Sequence, residues 1–198
     1  LGDDGIDAQS FNGSLLWEPW EVATQQGDPY QVFTPFWKTC CGRGAPRDPL
    51  PAPRKATPFD GKLKSLEIDE LELLPRVDWA AGLRDTWQPG ASGAKHNLRK
   101  FVDSALADYQ GERNRPDHVG TSRLSPHLHH GEISPRQVWH AVYEARKPMR
   151  GSNRESADVY LSELGWREFA YHLLYHFPRT IDEPLREKFA DFPWSTSR

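Results

Sequence analysis

Long apolar runs are missing from this sequence of 198 residues. Nothing in it approaches the roughly 18 consecutive apolar residues that cross a bilayer, and Leu1 is not followed by the charged-then-apolar order of an export signal. These absences point to a soluble, cytoplasmic chain with no membrane partner. Hydrophobic residues are few, at 37%, while Pro (17) and Gly (15) are plentiful, so much of the chain is connection rather than core. Cysteine is almost absent: Cys40 and Cys41 are the two present, and they are adjacent. Adjacent thiols suit neither a disulfide framework nor a two-residue-spaced metal site, so both are expected to be reduced. There is no excess of positive charge either; the net charge of −3 excludes a wholly basic nucleic-acid coat. Between residues 111 and 150, however, seven cations (113, 115, 123, 136, 146, 147, 150) face four acids (112, 117, 132, 144), so any DNA contact is expected to be local.

What is present falls into three stretches. Between Phe11 and Lys38, Leu15-Leu16-Trp17 and Tyr30-Gln-Val-Phe33 are broken by Pro19, Pro29 and Pro35, which predicts a strand end and a turn leading into a short helix. Residues 42–62 hold five prolines and residues 66–83 are acidic and proline-broken, so a linker is expected as far as about Gly93. The sequence has no initiator Met and stops at Trp194-Ser-Thr-Ser-Arg198, which suggests a piece of a longer protein.

Regular helices follow the linker. Leu98, Phe101, Val102, Ala105, Leu106 and Tyr109 recur at helical spacing, with Asn97 as the expected N-cap. A short helix is expected from Ser122 to His130, stopped by Gly131. A third opens with Ser134 as cap, Pro135 at the first position and Gln137 at the third, burying Val138, Trp139, Val142 and Tyr143. A fourth spans Ser156 to His176 ahead of Pro178, with Leu161, Gly165, Phe169 and Leu173 on one face. No parallel sheet is signalled after residue 95.

Two segments carry chemistry. In Gly120-Thr-Ser-Arg-Leu-Ser125, three hydroxyls and an Arg stand where a helix begins, an arrangement that serves either as an ordinary cap or as a cradle for a phosphate. On the fourth helix Tyr160, Glu163, Trp166, Arg167 and Ala170 form a stripe offset from the apolar face. An aromatic plane, a carboxylate and a guanidinium there could stack on, hydrogen-bond and anchor a flipped-out base pair. Alternatively, Trp166 is core and Glu163–Arg167 a surface ion pair. Histidines 127, 129, 130 and 140 lack a third ligand at convincing spacing, so no metal is expected.

The run Gly120-Thr-Ser-Arg-Leu-Ser-Pro-His-Leu-His-His-Gly-Glu-Ile-Ser-Pro-Arg-Gln-Val-Trp139 closely resembles a signature of the photolyase/cryptochrome family. Glu163-Leu-Gly-Trp-Arg-Glu-Phe169 matches a second motif, and Val32-Phe-Thr-Pro-Phe-Trp37 resembles the segment that leaves the family's antenna domain. The resemblance is to the class I cyclobutane-pyrimidine-dimer photolyases, as an internal fragment. It implies a mainly α chain: residues 1–38 as the tail of an α/β antenna domain, 39–95 as linker and 96–198 as the opening helices of an all-helical FAD-binding domain.

Carried over by position, the resemblance implies that Tyr109, Thr121, Ser122, Arg123, Leu124, Ser125 and Tyr160 contact FAD. Tyr160 stands where bacterial members often have Trp. Arg113, Glu163, Trp166 and Arg167 would contact damaged DNA containing pyrimidine dimers, and Trp194 would be the solvent-side member of a tryptophan chain that passes electrons to the flavin. The implied function is light-driven repair of such dimers by a lyase that binds FAD and an antenna chromophore of unknown identity, in a monomer; the fragment alone is expected to be inactive. Two other readings remain open: a cryptochrome photoreceptor, and a flavin-free helical DNA-binding or interaction module.

Overall fold

The computed structural model describes residues 5, 7–55, 57, 58, 61 and 64–193. Among them there is no β-strand; seven α-helices and several 3-10 turns make an all-helical body. No helix among the described residues is long and apolar enough to cross a membrane.

Helix α1 (Phe33–Gly42) begins after extended Val32 and runs through both cysteines, burying Phe36 and Cys40. The following stretch holds one 3-10 turn (Ile68–Leu71) and a short helix α2 (Ala81–Thr86), with no buried residue in either. Helix α3 (Ala91–Ser104) has Gly90 at its N-cap, seven residues before the expected cap Asn97. Asn97 is no cap; it lies inside α3, its side chain against the ring of buried His127 at 3.2 Å. The apolar rhythm through Tyr109 is split, because the chain breaks at Ala105 into a 3-10 turn (Leu106–Asp108) and then α4 (Tyr109–Glu112).

Helix α5 (Ser125–His129) is short. Helix α6 (Pro135–Arg146) has the expected start: the Gln137 amide N–H donates to Ser134 Oγ at 3.2 Å, while Ser134 N–H donates to Gln137 Oε1 at 2.9 Å. Helix α7 (Gly151–His176) ends where Pro178 predicted but begins five residues earlier, on a polar turn that carries no apolar signal.

α7 is the central post. On one side Tyr160, Leu161 and Leu164 join Leu98 and Phe101 of α3, Leu106, Tyr109, Leu124 and Val138, Trp139 and Val142 of α6 in the main core. On the other, Phe169 packs with Val22, Phe36 and Cys40 in a smaller cluster. Gly165 permits the second contact: a Cβ there would stand 2.5 Å from Trp37 Cε3, so only glycine lets α1 close on α7.

The expected strand end near residue 16 does not form. The Leu16 and Trp17 amides donate instead to the Glu168 carboxylate, at 2.7 and 3.4 Å, and the Tyr30 amide donates to His172 Nε2 at 3.0 Å, so the N-terminal segment is tied to α7 by side chains rather than by a ladder.

Candidate functional site

The segment from Gly120 to Ser125 forms a strap across the body. A Cβ at Gly120 would lie 2.6 Å from Glu112 Cβ and 2.7 Å from the Glu112 carbonyl oxygen, so glycine is needed for the strap to return beside α4. His118 Nδ1 pairs with Glu112 at the same corner. Arg123 takes a left-handed conformation (φ 51°), which cannot continue a helix, so α5 starts only at Ser125, with Leu124 at its N-cap and no side-chain cap bond. The helix expected from Ser122 is thus a strap followed by a single short turn of helix. Its capacity for an anion resides in hydroxyls and a guanidinium rather than in a helix dipole, because five residues align few peptide dipoles.

Between the strap and α7 lies a cavity of about 630 Å³, lined by residues 121–125 with Tyr109, Tyr160, Glu163 and Arg167. Leu128, His129, Leu164 and Tyr171 complete its walls; of the four the sequence drew attention only to His129, as a rejected metal ligand, because nothing but their partners in space distinguishes the others from ordinary helix positions.

Tyr160 is 5% exposed, ringed by Phe101 at 4.5 Å and Tyr109 at 5.1 Å, and its hydroxyl donates to Ser122 Oγ at 2.9 Å. Burial pushes the phenol well above its ordinary range, so it is a permanent donor. Ser122, having accepted that hydrogen bond, keeps its own O–H to donate into the cavity. Tyr160 therefore sets the polarity of Ser122 toward an acceptor such as a phosphate oxygen.

Arg113 Nη1 donates to Glu163 Oε1 at 2.5 Å, with its guanidinium 5.4 Å from the centre of the Tyr109 ring. The Glu163 hydrogen bond raises the Arg113 pKa further, and the pair is about one-third exposed on each side. Two side chains expected to act separately on a substrate are here partners, with Glu163 lining the cavity. Arg167 is also engaged: its guanidinium donates to the Ser14 carbonyl at 2.6 Å and lies 4.9 Å from the centre of the Tyr171 ring, so the surface pair Glu163–Arg167 does not form.

Trp166 does not reach this cavity. At about 100° per residue, Tyr160, Glu163, Leu164, Arg167 and Tyr171 share an arc of about 100°, whereas Trp166 lies about 120° round from Tyr160, beside Phe169 and Leu173. Its ring stacks on Phe33 of α1 at 3.8 Å, and the residue remains 48% exposed. It is neither sealed in the core nor part of the strap-facing wall. Trp194 lies outside the described residues.

Glu168 and His172, on the part of α7 that faces the N-terminal segment, were not singled out in the sequence. Burial raises the Glu168 pKa to about 7 against the pull of the Leu16 and Trp17 amides. Burial, followed by the neighbouring His176, lowers that of His172 to about 4.

The chain is similar in sequence and fold to known proteins. Residues 1–54 match the family model described as DNA photolyase, and residues 160–198 match that described as the FAD binding domain of DNA photolyase. The chain is 41% identical over 199 aligned residues to a deoxyribodipyrimidine photo-lyase of Agrobacterium fabrum, covering 98% of this chain and 40% of that protein. It is 32% identical to cryptochrome-2 of Arabidopsis thaliana, covering 98% of this chain and 33% of that protein. The crystal structure of a bacterial class III photolyase from Agrobacterium tumefaciens superposes with a TM-score of 0.89 at 39% identity, covering 98% of this chain and 40% of that one. That neighbour is described as class III, whereas the motifs suggested class I; the family is common to both. The chain spans about 40% of the length of the first curated relatives it matches. With the strap, the α7 motif and both family models in register along it, the chain belongs to the DNA photolyase/cryptochrome family.

Proposed function

We propose that this chain is part of a deoxyribodipyrimidine photolyase, a monomeric cytoplasmic lyase that uses FAD and light to split cyclobutane pyrimidine dimers in DNA. The observation that carries the reading is the single cavity shared by the hydroxyl-rich strap and the polar arc of α7. In this reading, residues 1–38 end an antenna domain that holds a light-collecting chromophore, 39–95 connect it, and 96–198 open the flavin-binding domain.

The donor set fits a diphosphate. The Ser122 hydroxyl is oriented as a donor by Tyr160, the Thr121 and Ser125 hydroxyls flank it, and the Arg123 side chain has no ion-pair partner among the described residues. Leu124, 1% exposed, anchors the strap in the core so that these groups stay in place. Tyr109, held edge-on by Tyr160, forms the side wall. FAD, when bound, supplies the excited-state electron that opens the cyclobutane ring.

The chain's own residues hold the substrate. A DNA phosphate takes over Arg113, which releases the Glu163 carboxylate to accept from a flipped-out pyrimidine edge. Trp166, packed on one face by Phe33, supports the dimer from the α1 side. Arg167 braces that wall through Ser14. Trp194 relays electrons to the flavin.

The test is a repair assay on the full-length protein: purified with its flavin and illuminated, it removes dimers from ultraviolet-irradiated DNA. A flavin-bearing protein that leaves dimers intact is a cryptochrome, and a colourless one is a helical binding module. The chain of 198 residues alone neither retains stoichiometric FAD nor repairs DNA; an absorbance titration that found one FAD per chain would overturn this.

A further inference from the structure

A second hollow, of about 530 Å³, lies on the far side of the strap, walled by the loop that follows α2, the outward side of α3 and residues 119–123. Its charges are Arg84, Lys100 and Arg123 against the single carboxylate of Asp85. Arg84 is already held by both Asp78 oxygens at 2.6 Å. The Lys100 and Arg123 side chains have no hydrogen-bond or ion-pair partner among the described residues, so two unneutralised cations converge on one concave space.

That convergence is not free of cost. Arg123 reaches the hollow from a left-handed backbone, a conformation unfavourable for a non-glycine residue and one that concentrates at ligand-binding segments. The Thr121 hydroxyl and the His96 ring add hydrogen-bonding groups between the two cations. The remaining wall is aromatic: Trp87, half-buried, is held edge-on by buried His127 at 6.1 Å and offers its indole to the same space. Cations with hydroxyls suit a phosphate, an indole suits a planar base, and the volume lies within the range of small-molecule sites.

We propose that this hollow binds a nucleoside phosphate, with its phosphate between Lys100 and Arg123 and its base against Trp87. The site is distinguished from the flavin reading by Lys100 and Trp87, which line only this hollow, whereas Tyr160 and Glu163 line only the first cavity; Arg123, which borders both, would stand between the two phosphates. Since Thr121, Ser122 and Arg123 border both, a ligand on one side of the strap stiffens the wall of the other.

The test is calorimetric titration of ADP into the full-length, flavin-loaded protein, in which the first cavity is filled. One ADP is expected per protein, and Lys100→Ala and Trp87→Ala are each expected to weaken it by about tenfold or more. Glu163→Gln should leave it unchanged. Adenosine and inorganic phosphate, tested separately, should each bind at least about tenfold more weakly than ADP. The proposal is overturned if ADP does not bind at about 1 mM, if it binds equally well to the Lys100→Ala protein, or if it displaces the flavin and is lost in Glu163→Gln. A protein that purifies without flavin absorbance defeats the photolyase reading alone, and the Lys100→Ala comparison still decides this one.

Discussion

The two sides of α7 use the same chemistry to opposite ends. Toward the N-terminal segment, Glu168 and His172 are almost completely buried and bind backbone amides 152 and 142 residues away; His172 Nδ1 is buried there without a hydrogen-bond partner. Toward the strap, Tyr160 bonds to Ser122 and Arg113 to Glu163 beside an open cavity. Ser122 keeps a donor to offer, and the Arg113–Glu163 pair stays wet enough to exchange partners. The polar groups that close the fold here are dry and tied to backbone, while those facing the strap are linked in pairs, with Arg113 and Glu163 still open to solvent.

Substitutions test that contrast, and the largest effect is expected on the closed side. Gly165→Val drives a side chain into the Trp37 ring and should cost about 3 kcal/mol or more in urea unfolding. A stability unchanged within error would mean that α1 does not pack on α7 as described.

Next comes Glu168. Its folded-state value, about 7, lies above the 4.5 of a free glutamate, so its contribution is complete below about pH 4.5 and is lost as pH rises through about 7. The loss is bounded by roughly 3 kcal/mol. Glu168→Gln should abolish that decline in melts from pH 4.5 to 8; a slope that persisted would locate it elsewhere. His172 acts with the opposite sign. Its value is lowered from 6.5 to about 4, so its contribution is present above pH 6.5 and lost as pH falls through about 4. The Gln variant should therefore expose a loss of stability on acidification that the wild type partly hides.

On the open side the effects shrink. Tyr160→Phe removes one hydrogen bond, for about 1 kcal/mol of stability. In the flavin-loaded protein it should weaken FAD more than riboflavin, since only the former has a diphosphate; equal losses would make Tyr160 mere packing. Smallest is the Arg113–Glu163 pair, whose coupling in a double-mutant cycle should stay under about 1 kcal/mol because both partners are a third exposed.

Much of this was legible beforehand where local rules decide. Ser134, Pro135 and Gln137 specify the start of α6 because a capping box needs only its own residues, and Pro178 marks the end of α7. The grouping of Tyr160, Glu163 and Arg167 with the strap follows from helical spacing plus the family motifs. Trp166 was grouped with them because i+3 and i+6 steps look alike in a list of letters, whereas about 60° of drift per step carries the second onto another face. The start of α3 was hidden because it rests on Gly90 at φ 92° and on the small residues Ala91, Ser92, Gly93 and Ala94, which carry no apolar rhythm. Glu168 and His172 read as surface letters because their partners lie at the other end of the chain.

The neighbouring thiols in α1 have a practical consequence. Cys40 is wholly enclosed and burial pushes its thiol up to about 12, so it is inert toward alkylating reagents, while Cys41 is exposed. A maleimide dye would therefore mark one position without mutagenesis, reporting on the junction between the leading helix and the central post.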